Sequence, residues 1–335
     1  MMLDTKSSFL RRASGLFVGL LLAALALVIA LNRQFVLDQV TVWQYTPSAT
    51  VSALAERATI SDKGLFYFYA SQPSVEGTQK FNSQCDRKEP TSAILGCYSA
   101  ERIYIYDVSD PRLDGIREVT ASHEMLHAAF ERLSENQKRE LGVLLEAEYA
   151  KLHNTELQAR MDYYARAQPG DRINELHSII GTEISSISPE LEAHYKQYFS
   201  DRQKVVQLHA TYQKVFDDLS AQAEALGAEV SQLREEISAE ITAHNAAAAR
   251  LEADISALKA RESTVDRTSA SQVNAYNADR QALIDRADAL NRQKVEIDAK
   301  TTEFNEKVKR YNDLVVRSNE LKQKIDSTLA PSPSI

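Results

Sequence analysis

The stretch ASHEMLHAAF, residues 121–130, carries His123, Glu124 and His127 in the order H-E-x-x-H. On an α-helix, side chains four positions apart lie on the same face, so the two histidines can direct their ring nitrogens at one point. Zinc binding requires neutral imidazole nitrogens about 2 Å from the ion. His123 and His127 are therefore the predicted zinc ligands.

Glu124 directly follows the first histidine, so its carboxylate can reach a zinc-bound water instead of the ion itself. Zinc lowers the pKa of such a water toward about 7, and a nearby carboxylate can accept the proton as hydroxide attacks a carbonyl. Glu124 is therefore the predicted general base. The alternative is two histidines that fall one helical turn apart by chance. It would leave an unpartnered polar group on an otherwise apolar helix face, which costs folding free energy.

A catalytic zinc site needs a third protein ligand and an open fourth position. The stretch NELHSIIGTE, residues 174–183, is the best source of that ligand because it places Glu175, His177 and Glu183 on one predicted helix. A group of this stretch that is not a ligand, Glu183 or His177, can serve as an outer-shell partner or as a hydrogen-bond donor to the transition state. Three tyrosines compete for the donor role: Tyr163, Tyr164 and Tyr195.

The order of a strand, an H-E-x-x-H helix, two intervening helices and a glutamate-bearing helix resembles the gluzincins, the zincin metallopeptidases whose third zinc ligand is glutamate. In that clan the third ligand opens a pattern like E-x-x-A, and the stretch Glu175-Leu176-His177-Ser178 is similar to it, with serine in the small position. The resemblance implies Glu175 as the third ligand, with Glu183 as the alternative. It also implies an α+β zincin-like metallopeptidase domain, which we place at residues 61–200.

Two segments of this domain are rich in aromatic and β-branched residues and are predicted to be strands, GLFYFYAS (64–71) and RIYIYDV (102–108). In zincins the strand before the active helix is a sheet edge with which an extended substrate pairs. Residues 102–108 are therefore either such an edge or an ordinary structural strand. Cys85 and Cys97, in the loop between the two segments, are predicted to form one disulfide; the alternative is two unpaired thiols.

The N-terminal region contains an uncharged apolar run over residues 13–31, preceded by three basic residues. Its 19 positions approach the ~20 residues that cross a bilayer as a helix, and a cleaved signal peptide usually has a shorter apolar core. We therefore predict a retained single-pass anchor, with residues 1–12 cytoplasmic and residues 33–60 as a juxtamembrane segment. The rest of the chain is then expected outside the cytoplasm, in a bacterial cell envelope.

The C-terminal region, residues 201–328, shows heptad spacing that predicts a coiled coil, followed by a short tail at 329–335. Two such runs flank a polar break, so an antiparallel helical hairpin is expected, with a continuous rod in a parallel dimer as the alternative. The first run contains Tyr212, Leu219, Leu226 and Leu233, and the second contains Tyr276, Leu283, Leu290, Ile297, Phe304 and Tyr311.

The formal charge of −8 argues against nucleic acid as a partner, because nucleic-acid-binding proteins are usually basic. These features together predict a membrane-anchored zinc metalloendopeptidase that hydrolyses a peptide or protein substrate outside the cytoplasm. The coiled coil would then bind a partner, self-associate or cover the active-site cleft. The alternative is a non-catalytic envelope scaffold in which the coiled coil carries the function.

Overall fold

The computed structural model describes residues 4–85, 94–167 and 170–328; side chains are described from residue 17 onward, except those of 156 and 167. The predicted tail at 329–335 lies outside the described residues. Most of the described chain is helical. The helices are α1 (Asp4–Leu31), α2 (Arg33–Gln44), α3 (Ala49–Arg57), α4 (Asp62–Ala70), α5 (Thr78–Gln84), α6 (Ile116–Glu131), α7 (Glu135–Tyr149), α8 (Thr155–Ala167), α9 (Arg172–Glu183), α10 (Pro189–Tyr195), α11 (Arg202–Glu262) and α12 (Ala270–Ile325).

The described residues form one small sheet of three strands, in the order β1-β3-β2. The strands are β1 (Ser74–Glu76), β2 (Gly96–Ser99) and β3 (Arg102–Tyr106). The middle strand, β3, is parallel to β1 and antiparallel to β2. The prediction of an α+β zincin-like domain is therefore wrong. The strands are only three, four and five residues long, and most of the core is formed by helices packed on helices.

The two predicted strands had different outcomes. Residues 102–108 do contain a strand, but it is the central one, so the alternative of a sheet edge there is wrong. Residues 64–70 are helical instead, within α4, and Ser71 is the C-cap of that helix. The side chain of Ser61 accepts a hydrogen bond from the backbone N–H of Gly64 and caps this helix, and Phe68 is buried in the core. A good N-cap and tertiary packing thus outweigh the strand preference of the aromatic residues.

The predicted single membrane-spanning helix at residues 13–31 is also not found. Among the described residues no single helix has the length and apolar character to cross a membrane. The described apolar part of α1, Phe17–Leu31, ends at a break, and α2 turns away from it by 82°. By length and composition, only this bent pair together reaches the required values.

The central element of the helical core is α6, which contains the H-E-x-x-H residues. It packs against α3, α4 and α9 and against strands β2 and β3, and most of its side chains are buried. Gly181 allows α9 to come close, because a Cβ atom at that position would lie 2.5 Å from Leu126 Cδ1 and 2.7 Å from Tyr195 Cε1. The contact of α6 with α9 brings residues of two distant sequence segments to one place.

A disulfide joins Cys85, at the end of α5, to Cys97 on β2, with 5.8 Å between their Cα atoms. The predicted pairing of these two cysteines is therefore confirmed. Because Cys97 lies on an edge strand that contacts α6, the disulfide ties that strand to α5.

The described chain divides into two compact units. One comprises the residues up to Val215 and those from Lys322 onward, and the other is Phe216–Leu321. The first residues of α11 therefore belong to the first unit, where Val205 and Val206 are buried in its core.

The unit Phe216–Leu321 consists of the middle parts of α11 and α12, and ion pairs show how they run. Glu229 pairs with Lys307 at 2.7 Å, and Asp254 pairs with Arg286 at 2.6 Å. Residue numbers rise along one helix as they fall along the other, so the two helices are antiparallel. The apolar side chains between them include Leu233, Ile237, Ile297 and Phe304.

Candidate metal centre

Three side chains that can ligate a metal ion converge between α6 and α9. His123 and His127, four positions apart on α6, have their ring centroids 4.8 Å apart. The carboxylate of Glu175 on α9 faces both, with Oε1 3.6 Å from His123 Nε2 and Oε2 3.5 Å from His127 Nε2. The ligand atoms of all three residues lie within 4.8 Å of one another. This group could hold a metal ion.

The donor set and spacing fit a small divalent cation. Nitrogen and oxygen ligands about 2.1 Å from a tetrahedral zinc ion lie about 3.4 Å from each other. The two distances from Glu175, 3.5 and 3.6 Å, are close to that value. The histidine side chains are 16% exposed and that of Glu175 is 10% exposed. The group is therefore mostly buried but still accessible to solvent.

Asn174 orients one of the histidines. Its Oδ1 lies 3.0 Å from His127 Nδ1, at the ring nitrogen that faces away from Glu175. An Nδ1–H that donates to Asn174 leaves the lone pair of Nε2 directed at the ligand group. Outer-shell hydrogen bonds of this kind fix the tautomer and the ring orientation of metal-binding histidines.

Electrostatics in the group favour one positive charge beside Glu175. Burial alone would raise the pKa of Glu175, but the charges of His123 and His127 and their hydrogen bonds hold it well below its usual value. Burial would likewise lower the pKa of His127, but the hydrogen bond to Glu175 and the charge of Glu124 outweigh it and raise that pKa to about 9. An anionic carboxylate therefore faces both imidazoles, as a cation site requires.

Glu124 lies beside the group and is 5% exposed. Burial raises the pKa of Glu124, while the neighbouring His127 and His123 oppose that rise. The nearby backbone of Tyr98, on β2, also opposes the rise. The strand comes so close because its first residue is Gly96, where a Cβ atom would lie 2.7 Å from Glu124 Oε1. The carboxylate of Glu124 thus lies between its own helix, α6, and strand β2.

The alternative third ligand, Glu183, lies elsewhere. Its Oε2 is 3.5 Å from Arg160 Nη1 and 3.7 Å from His209 Nε2. Arg160 also reaches Glu175, with 3.5 Å from Nη2 to Oε1. Of the two glutamates, Glu175 faces the histidines. Arg160 contacts both carboxylates, and Glu183 is not a member of the metal-binding group.

The structure places His177 behind the group. Its side chain is fully buried, its Nε2 lies 2.9 Å from His194 Nε2, and its ring stacks on Tyr195. The hydroxyl of Tyr195 donates to the backbone carbonyl of His177 at 2.7 Å, so this tyrosine is used in holding α9. Tyr163 and Tyr164 are half-buried on α8 with their rings in contact.

Several residues that support the group were not predicted from the sequence. Besides Asn174, Gly96 and Gly181, these include Arg202 at the start of α11. Its guanidinium donates to the carbonyl oxygens of Ile184 at 2.6 Å and Ser185 at 3.1 Å and so caps the end of α9. No local pattern marks Arg202 for this role, because the two carbonyl groups lie 17 and 18 positions away along the chain.

Comparisons of the chain with protein-family models, with curated proteins and with solved structures found no match.

Proposed function

We propose that this protein is a zinc-dependent peptidase in which His123, His127 and Glu175 hold the ion and Glu124 is the general base. One observation carries the proposal: a buried carboxylate lies next to a two-histidine, one-glutamate group whose spacing suits zinc. Three protein ligands leave the fourth position of a tetrahedral ion open, as catalytic zinc sites do. The proposal concerns the chemistry of this site and not the zincin fold.

Zinc, when bound, would polarise the carbonyl of the substrate and make water acidic enough to be deprotonated near neutral pH. Glu124 then accepts a proton from water as the oxygen atom of that water attacks the carbonyl carbon. The same carboxyl delivers the proton to the amide nitrogen as the C–N bond breaks. One water is consumed, and Glu124 returns to its starting form.

A peptide substrate also needs a backbone partner. An extended peptide pairs with an edge strand of a sheet, and of the two outer strands in the described sheet, β2 is the one that packs on α6 beside Glu124. We place the substrate along this side of the sheet for that reason. A location outside the cytoplasm is part of the proposal and is supported by the Cys85–Cys97 disulfide, because such bonds persist in oxidising compartments.

The substitution Glu124→Gln tests the proposal, because glutamine keeps the shape of the side chain but cannot accept the proton. Hydrolysis of a mixture of fluorogenic peptides by the full-length protein should fall by about 10²–10⁴-fold, while the zinc content stays unchanged. Glu131→Gln makes the same change at an exposed position of α6 and should have full activity. Equal hydrolysis by Glu124→Gln and wild type would contradict the proposal.

A second candidate is a non-catalytic scaffold whose helical unit binds a partner. The observation that favours it is a set of exposed aliphatic side chains on α11 and α12. These are Ile241, Ile284, Val295 and Val316. A wild-type phenotype for cells that carry Glu124→Gln, together with loss of function when these four residues are changed to glutamate, would favour the scaffold.

A further inference from the structure

The polarity of α2 is the reverse of that of an ordinary surface helix. Its inward side carries Asp38, which is 4% exposed. This carboxylate accepts two hydrogen bonds from the Arg132 guanidinium, at 2.7 Å from Nε and 2.8 Å from Nη2. Arg132 follows directly after α6 and its side chain is 5% exposed, so the charge pair is buried against the protein.

The outward side of α2 carries an apolar stripe. Leu37, Val40 and Trp43 are spaced three positions apart, so they form one stripe on the helix surface. Their exposed fractions are 45%, 39% and 76%. Trp43 is the single tryptophan of the chain and the most exposed member of the stripe. In water, a helix of a globular protein normally turns its apolar stripe inward and its charges outward, so the medium outside α2 is not simply water.

The apolar surface does not end with α2. The larger side chains of α1 from Phe17 to Leu31 are exposed as well, with fractions from 45% to 76%. Immediately after this segment the chain turns by 82° into α2. Two consecutive helices with uncovered apolar side chains, at nearly a right angle to each other, offer a larger apolar surface than one stripe alone.

The charge composition of the N-terminal sequence indicates what covers this surface. The first 44 residues contain two acidic residues, and one of them, Asp38, is neutralised internally by Arg132. The four basic residues of the same region are Lys6, Arg11, Arg12 and Arg33. Basic residues beside an apolar helix face are attracted to anionic lipid headgroups, and tryptophan favours the boundary between headgroups and acyl chains. The apolar stripe, the tryptophan and the net basic charge of the N-terminal sequence together fit a lipid surface better than a protein partner.

We propose that α2 lies on the surface of an anionic lipid bilayer, with Leu37, Val40 and Trp43 at the boundary between headgroups and acyl chains. The Asp38–Arg132 pair links that helix to the end of α6, so the lipid surface fixes the orientation of the helix that carries His123 and Glu124. This proposal does not depend on the presence of zinc or on peptide hydrolysis, and either can fail without the other.

Because Trp43 is the single tryptophan, its fluorescence reports on the stripe directly. The full-length protein is mixed with vesicles of equimolar phosphatidylcholine and phosphatidylglycerol, with some lipids brominated either near the headgroup or near the end of the acyl chain. The expected result is a blue shift of the emission on vesicle addition, protection from iodide, and stronger quenching by the shallow bromines than by the deep ones.

Three outcomes would overturn the proposal. Unchanged emission and undiminished iodide quenching would show that α2 stays in water. Stronger quenching by the deep bromines would show that it enters the bilayer core. A blue shift that grows with protein concentration without vesicles would show that a second copy covers the stripe.

A matched pair of variants distinguishes the lipid contact of α2 from that of α1. Val40→Glu places a charge in the stripe and should lose most of the blue shift and of the bromine quenching, even while α1 keeps the protein on the vesicles in a flotation assay. Thr50→Glu adds the same charge at an exposed position of α3 and should behave as wild type. Equal quenching of Trp43 in both variants would contradict the assignment of the stripe to the lipid surface.

Discussion

A Cβ atom on Gly96 would lie 2.7 Å from Oε1 of Glu124 and 2.8 Å from its Cγ, so β2 approaches this carboxylate as closely as a glycine allows. The same added atom would lie 2.6 Å from Thr120 Cγ2. The position of the proposed general base is thus set by a residue with no side chain, on an edge strand that a disulfide holds in place.

Gly96→Ala should therefore disturb the site. The added methyl group forces the strand and Glu124 apart, and overpacking of this kind costs about 1–3 kcal/mol of unfolding free energy. Urea denaturation measures that loss, and peptide hydrolysis should fall as well. The matched control is Gly77→Ala, where an added Cβ meets nothing within 4 Å. Equal stability and activity of the two variants would show that the close approach of β2 is unimportant.

Gly181→Ala should act on the metal site through α9. The new methyl group would press on Leu126 and Tyr195 and move α9 away from α6, which carries Glu175 away from the histidines. The affinity for zinc, measured by competition with a chelator, should fall by about 10–100-fold, the effect of disturbing residues that support metal ligands. Gly142→Ala, on α7, adds a methyl group 3.5 Å from Ile173 Cγ2 in ordinary contact and should leave the affinity unchanged. Wild-type affinity in Gly181→Ala would contradict the role given to this packing.

The contact between buried His177 and half-buried His194 should make stability depend on pH. Burial, aided by the charge of Lys63, lowers the pKa of His194 to about 4, from an ordinary value of 6.5. Between these values the unfolded chain binds more protons than the folded one, so unfolding free energy falls as pH is lowered from 6.5 toward 4 and is constant in this respect above 6.5. In urea unfolding across this range, His194→Gln should show a shallower pH dependence than wild type. The same slope in both proteins would contradict this assignment.

The residues of the H-E-x-x-H motif could be identified from the sequence because their chemistry is local. Helical periodicity alone places His123 and His127 on one face, and both lie there on α6. The third member, Glu175, was selected by its resemblance to a short family pattern, and the packing of α9 on α6 does bring it to the histidines. Its supporting residues were not predictable, because Gly181 and Arg202 act through contacts with distant parts of the chain.

The fold was predictable only in part. The heptad spacing predicted two long helical runs, and the structure has two long helices, α11 and α12, whose middle parts are antiparallel. The aromatic run at 64–71 was read as a strand, yet a cap at Ser61 and burial of Phe68 make it helical. Strand preference depends on neighbours that a single sequence does not show, so the extent of the sheet was overestimated and an α+β domain was inferred wrongly.

The single-helix anchor predicted at residues 13–31 is not supported, because among the described residues no single helix has the length and apolar character to cross a membrane. The run does lie within one helix, α1, but hydropathy could not predict the bend that follows it. The described part of α1 ends at Leu31, and the chain then turns sharply into α2. The reversed polarity of α2 was also hidden in the sequence, because it depends on the pairing of Asp38 with Arg132, 94 positions further along the chain.

Zinc content of the purified full-length protein tests the central claim most directly. After removal of loosely bound metal with a weak chelator, elemental analysis should give about one zinc ion per wild-type chain. Glu175→Ala should retain almost none, whereas Glu183→Ala should retain as much as wild type, because the structure places Glu175 and not Glu183 beside His123 and His127. Wild-type protein without zinc, or equal zinc in wild type and Glu175→Ala, would contradict the metal centre described above.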